Sequence, residues 1–270
     1  MKRTFVTMLA LCTFGGLLTA CNAQQPPVKL ATGEVTSAAA APQATAAKLA
    51  EVTQTLETRF KGAPIKGLRS SVFPNMFEAM VGDDLIYFDE KLTYFLVGNL
   101  IDAATMTNKT EERTAELNAI DVKQLPLNDA IKFVRGKGER VMYVFTDVDC
   151  PFCTRLEQTL QTVDNVTIYN FMYPIDSLHP QAAQKQKVIW CAKDRAAAWQ
   201  NAALRGTHVA NGDASCANPV DATKALGQKL GVRATPSFFL ADGRMIAGAI
   251  PKEQLEARLD AAQTKVAARK

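Results

Sequence analysis

The 270-residue sequence has no run of clustered lysines and arginines, no apolar stretch long enough to cross a membrane, and few cysteines. Each shortage excludes a class of protein. The 31 Lys and Arg barely exceed the 27 Asp and Glu, and without a concentrated basic patch nucleic acid is not an expected partner. The apolar stretch from Phe5 to Leu18 is interrupted by Gly15-Gly16 and falls short of the roughly 20 residues a spanning helix needs. Six cysteines are too few for a miniprotein stapled by disulfides, so the chain must bury a core. With 47% hydrophobic, 21% charged and 7% aromatic residues, its composition is neither disordered nor collagen-like. Its length allows one or two domains.

The N-terminus reads as a targeting signal. Met1-Lys2-Arg3 is a short positive segment placed directly before the apolar stretch, the pattern of a secretory signal peptide. Two cleavage sites compete within residues 1–23. Leu18-Thr19-Ala20-Cys21 looks like a bacterial lipobox, with Cys21 as a lipidated first residue, whereas Cys21-Asn22-Ala23 offers small residues for cleavage after Ala23. Either route removes Cys12 and takes Cys21 out of thiol chemistry. Loss of Lys2 and Arg3 also lowers the net charge of +4 by two. Cys150, Cys153, Cys191 and Cys216 remain. In an exported protein they imply two disulfides, or one catalytic pair and one structural bridge.

Residues 24–45 are rich in Ala, Gln, Pro and Thr and read as a flexible tether. Leu49, Val52, Leu56 and Phe60 then recur at helical spacing. From Ile65 to Ala104 short apolar runs alternate with Gly82-Asp83-Asp84, Asp89-Glu90-Lys91 and Gly98-Asn99, which predicts a small antiparallel sheet. The segment 46–106 is marginal as an independent core, and such a domain gains stability by pairing with a copy of itself. Met76, Phe77 and Met80 in this sheet are expected in a dimer core, with a cleft for unfolded chains as the alternative. Residues 107–125 open with a charged, helix-favouring stretch and read as a linker helix.

From residue 126 to 270 the order is α/β. Leu127–Val134 is read as helix, Val141–Phe145 as a strand buried on both faces, and Val166–Met172 as another strand. Helices are expected over about 180–204, after Asn218-Pro219 and from Lys252. A hairpin is expected across Ala241-Asp242-Gly243. Trp190 and Trp199 are assigned to core packing. His179 and His208 fall in loops and read as exposed polar residues, a general-base role being the lesser alternative.

The candidate chemistry lies at Cys150-Pro151-Phe152-Cys153, where a buried strand meets a helix N-terminus. Free N–H groups and the partial positive charge of that terminus stabilise a thiolate at Cys150. Pro151 suits the first turn, and Cys153 is one turn away, within reach of a mixed disulfide. Phe152, Leu156 and Leu160 are expected on one face of this helix. A zinc site would need Cys191 and Cys216 as further ligands, and these are 25 residues apart rather than a second close pair. No metal or cofactor is expected.

Three motifs carry a resemblance: VFTDVDCPFCTRL (144–156), VIWCAKDRAAAW (188–199) and ALGQKLGVRATPSFFLADG (225–243). Together they closely resemble the bacterial periplasmic disulfide isomerases of the DsbC/DsbG family, over about 126–268 and more loosely over the N-terminal β-rich segment. The resemblance implies an α+β N-terminal dimerisation domain, a connecting helix and a thioredoxin-like α/β catalytic domain with a helical insertion. It also implies a V-shaped homodimer. By position it makes Cys150 the attacking thiolate, Cys153 the resolving cysteine, and Thr235-Pro236 a threonine–cis-proline loop that binds substrate beside Phe152. Cys191 and Cys216 match the family's structural disulfide, and closing a loop of that length stabilises by roughly 3 to 4 kcal/mol on the loop-entropy model.

The function implied is an exported thiol:disulfide interchange protein of the periplasm. It acts on misfolded, disulfide-containing secreted proteins and draws electrons from a DsbD-like membrane donor. The alternatives are a dithiol oxidase and a dimeric chaperone. Two departures stand out. The central dipeptide is Pro-Phe, where the best-known isomerases carry Gly-Tyr, and this leaves the balance between oxidation and isomerisation open. Val144 stands near where thioredoxin has a buried acid, so no proton acceptor for Cys153 is nominated.

Overall fold

The computed structural model describes residues 43–206 and 212–268. The expected signal peptide, Cys21, most of the tether, and His208 lie outside these residues. No helix among those described is long and apolar enough to cross a membrane.

Helix α1 (Ala46–Arg59) starts at Thr45, whose hydroxyl accepts from the Lys48 N–H at 3.3 Å, satisfying one orphan donor of the first turn. Its buried Val52 and Leu56 lie against one face of a four-stranded antiparallel sheet of β1 (Ile65–Ser70), β2 (Met76–Val81), β3 (Asp84–Asp89) and β4 (Phe95–Val97), in that order. Alternation along β2 and β3 sends Phe77, Ala79, Ile86 and Phe88 toward α1. Met80, Leu85 and Tyr87 face the opposite side. Both faces are therefore covered within one chain, and Phe77 and Met80 are buried without a partner. The exposed apolar residues of this sheet are instead on β4, an edge strand.

The second face is covered by α2 (Lys109–Leu117), reached through the short hairpin of β5 (Ile101–Asp102) and β6 (Thr107–Asn108). The Thr110 hydroxyl is hydrogen-bonded to that of Tyr87 at 2.7 Å and accepts from the Leu100 N–H at 2.8 Å. Buried Glu78 pairs with Arg69 Nε at 2.6 Å and Arg113 Nε at 3.2 Å. The stretch expected as one linker helix over 107–125 is thus helical over Lys109–Leu117 and packs on the N-terminal sheet. A 3-10 turn at Val122–Gln124 follows.

The remaining chain forms a five-stranded sheet in the order β11-β10-β8-β9-β7. Its strands are β7 (Ile131–Arg135), β8 (Arg140–Thr146), β9 (Val166–Met172), β10 (Ser237–Leu240) and β11 (Met245–Ala247). Only β8 and β9 run parallel, joined through α3 (Pro151–Leu160). Met142 and Val144 of β8 point into a cluster with Leu156, Trp199 and Leu259, from α3, α5 (Arg195–Arg205) and α7 (Lys252–Ala267). Tyr143 and Phe145 point to the other face, over which α6 (Val220–Lys229) lies so close that a Cβ on Gly227 would sit 2.5 Å from the Tyr173 ring. The insertion comprises α4 (Ala182–Cys191) and α5.

One expectation fails here. Leu127–Val134 is not a helix: a 3-10 turn at Leu127–Asp129 leads into β7. Along Ile131-Lys132-Phe133-Val134 burial alternates strictly, the period of an edge strand with one buried face. The residues are β-branched, aromatic and long-chained, and the period of two outweighs any helical preference.

Candidate active site

Strand β8 ends at Thr146, a buried loop covers Asp147 to Asp149, and α3 begins at Pro151 with Cys150 as its N-cap. The buried face of α3 is Cys153, Leu156, Glu157 and Leu160, which follows the spacing i, i+3, i+4, i+7. Phe152 is off that face and 54% exposed, so the expected grouping of Phe152 with Leu156 and Leu160 is corrected. The Arg155 guanidinium lies 5.4 Å from the Phe152 ring centre.

Cys150 and Cys153 are both buried and unbonded. The Cys150 thiol donates to the carbonyl oxygen of Thr235 at 3.3 Å. That carbonyl precedes a cis peptide bond to Pro236, immediately before β10, which pairs with β8 through Ser237 and Phe145. Adjacent strands thus carry the two cysteines and the proline loop to one end of the sheet. The Cys150 acidity is raised, its pKa lowered from 9.0 to about 5. The largest cause is the hydrogen bond from the Cys153 thiol. Burial opposes it, and Thr235 and the N–H groups of Cys153 and Phe152 assist. This is the expected behaviour of a helix N-terminus toward a thiolate. Cys153 is pushed the other way, above the ordinary thiol range, first by burial and then by its bond to Cys150.

Cys191, at the end of α4, is bonded to Cys216. Trp190 and Trp199 are buried, the first beneath the Arg195 guanidinium at 4.0 Å.

Asp147, which the sequence suggests only as a loop or cap residue, lies against Cys153. The main-chain N–H of Asp147 donates to its Sγ at 3.4 Å. The completely buried Asp147 carboxylate accepts from Asp149 N–H at 2.9 Å and Ile175 N–H at 2.8 Å, and lies 2.9 Å from His179 Nδ1. His179 is therefore engaged rather than a freely exposed loop residue. One turn beyond Cys153, Glu157 accepts from Asn170 Nδ2 and Trp199 Nε1, each at 2.9 Å. Its acidity is weakened, first by burial. A charged residue at i+4 from Cys153 on the apolar stripe was the available signal for Glu157. Asp147 and His179 are 32 positions apart, and no spacing rule connects them.

Two family descriptions match the chain: a thioredoxin-like domain over residues 127–263, and the disulfide bond isomerase protein N-terminal domain over residues 37–111. The probable thiol:disulfide interchange protein DsbC of Bordetella pertussis is 42% identical over 218 residues, covering 81% of this chain and 75% of its own length. This chain belongs to the DsbC family of thiol:disulfide interchange proteins. The Escherichia coli DsbC is more distant, at 26% identity over 205 residues, 73% of this chain and 79% of that one. A crystal structure of a disulfide interchange protein from Neisseria gonorrhoeae is 42% identical over 52% of this chain and 99% of its own, with a TM-score of 0.49. As in the DsbC family description, an antiparallel-sheet domain with its helix precedes a thioredoxin-like α/β domain with a helical insertion. The expected fold class is the observed one.

Proposed function

We propose that this chain rearranges and reduces incorrect disulfides in exported proteins, with Cys150 as the attacking thiolate and Cys153 as the resolving thiol. The observation that carries the reading is the thiolate-stabilising position of Cys150 at the N-terminus of α3, opposite the Thr235–Pro236 loop. The Cys150 thiolate attacks a substrate disulfide and forms a mixed disulfide, and one substrate sulfur departs as a thiolate. If a second substrate thiol attacks, the disulfide moves within the substrate and nothing is oxidised overall. If Cys153 attacks, the substrate leaves reduced and the Cys150–Cys153 disulfide must regain two electrons, for which a DsbD-like membrane donor fits the compartment.

Phe152, exposed beside Cys150, offers an apolar platform to an unfolded segment, and the Thr235–Pro236 main chain offers hydrogen-bonding groups. Cys191–Cys216 acts as a brace of the insertion. The exposed edge β4, with Tyr94 80% exposed beside Phe95, Leu96 and Val97, supports a homodimer formed through the N-terminal domains. The leader at residues 1–23 supports a periplasmic protein, and a lipidated Cys21 would hold it at a membrane.

Trapping the thiols of Cys150 and Cys153 in growing cells with a mass-shifting alkylator tests this. An isomerase keeps the pair mostly reduced. A mostly oxidised pair would replace this reading with a dithiol oxidase. The exposed β4 strip favours one further reading, a dimeric chaperone. It predicts that the Cys150→Ser/Cys153→Ser double variant suppresses aggregation of an unfolded substrate as well as the unaltered protein does.

A further inference from the structure

Asp147 joins three parts of the site. Its main-chain N–H lies on Cys153 Sγ, and its carboxylate is held by Asp149 N–H, by Ile175 N–H in the loop after β9, and by the partly buried ring of His179. A completely buried carboxylate must be hydrogen-bonded to be tolerated. These bonds also prevent the residue from turning. Rotation about the Asp147 backbone would swing the carboxylate off its partners and lift the N–H from the sulfur. The neighbouring charged pair, Asp149 with Lys185 Nζ at 2.7 Å and 2.9 Å, holds the other end of the same loop.

The geometry points to His179 as a positioning residue for Cys153, acting through Asp147. The inference rests on the interchange reading above and concerns its second step. In that step Cys153 gives its proton to solvent and its thiolate attacks Cys150 Sγ in the mixed disulfide. The bond from Cys150 to the substrate sulfur breaks, the electron pair leaves on that sulfur, and the released thiolate takes up a proton. The Cys150–Cys153 disulfide forms while the substrate is reduced, with no other oxidant or reductant. Negative charge passes through Cys153 Sγ, and the Asp147 N–H is a main-chain donor aimed at it. Among the described residues no hydrogen bond joins His179 to either sulfur, so its effect is on placement. It holds the donor that speeds resolution, and so biases the outcome toward release of reduced substrate over rearrangement.

The full chain, reduced and mixed with a chromogenic aromatic disulfide, separates the steps. The first release of coloured thiol reports attack by Cys150, the second reports resolution by Cys153. His179→Ala is expected to slow the second phase about tenfold, equivalent to ~1.4 kcal/mol or one hydrogen bond, with the first phase changed less than about twofold. His179→Asn keeps an N–H donor where Nδ1 stands and should recover most of the lost rate. A second phase at the unaltered rate in His179→Ala, an equal fall in both phases, or no recovery in His179→Asn would each overturn the inference. Absence of the second phase in the unaltered protein would instead overturn the role of Cys153 itself.

Discussion

Cys150 and Cys153 stand one helical turn apart and their acidities move in opposite directions: the Cys153 thiol, ahead of other causes, lowers the Cys150 pKa, whereas burial first and Cys150 second raise that of Cys153. Cys150 is the less buried of the two, at 5% exposure against 1% for Cys153. This difference supports the proposed division of labour, with Cys150 attacking as a thiolate and Cys153 held as a thiol until the mixed disulfide forms.

The alkylation rate of Cys150 is therefore expected to rise with pH around a midpoint near 5 rather than near the ordinary 9.0. The same shift links pH to stability. The folded value is depressed, so the thiolate's contribution to the reduced protein is fully present above the ordinary value and is lost as pH falls through about 5. Denaturant unfolding of the reduced protein at several pH values, compared with Cys150→Ala, should show a difference that grows from pH 5 to 9. A midpoint above 8 would show that the helix terminus and Cys153 do not act on this sulfur.

Glu157 gives the opposite sign. Its acidity is weakened by burial, so its contribution is present below the ordinary carboxyl value and is lost as pH rises through the raised one. Glu157→Gln should remove this pH dependence. Glu157→Ala leaves the Trp199 and Asn170 donors without their acceptor and should cost about 2–4 kcal/mol. A neutral Glu157→Ala in denaturant unfolding would mean that water replaces the carboxyl.

Gly243 is where the connector docks on the catalytic domain. Its φ is +86° and its carbonyl accepts from the Ile120 N–H at 3.0 Å. A Cβ there would sit 2.0 Å from the Ile120 carbonyl oxygen, main-chain atoms on both sides. Gly243→Ala is expected to destabilise by about 2 kcal/mol or more, read as a lower denaturant midpoint. An unchanged midpoint would show that the connector is free to move off the hairpin.

The edge strand β4 carries the prediction for assembly. Leu96 is exposed, on a strand paired on one side only, so Leu96→Lys should convert a dimer at micromolar concentration to monomers by sedimentation, with unfolding little changed. An unaltered protein that sediments as a monomer contradicts the dimer.

Legibility in the sequence followed the physics of each segment. Val141–Phe145 was readable because a strand buried on both faces needs an unbroken apolar run. The start of α3 was readable because Cys150-Pro151 places a cap and a first-turn residue in order. Ile131–Arg135 was missed as a strand because four residues of alternation, on an edge, resemble one turn of an amphipathic helix. The cysteines of the site announce themselves by chemistry. Glu157 shows only as a charge on the apolar stripe of α3, and the contact of Asp147 with His179 does not show at all, since a buried acid is recognised by the partners that tolerate it, and these arrive from the loop after β9.

The central claim is that Cys150 performs the interchange. Its most direct test is the recovery of activity by a scrambled, fully oxidised multi-disulfide substrate in the presence of catalytic amounts of the protein. The account predicts acceleration by the unaltered protein and none by Cys150→Ser. Recovery with Cys150→Ser at the unaltered rate would contradict it.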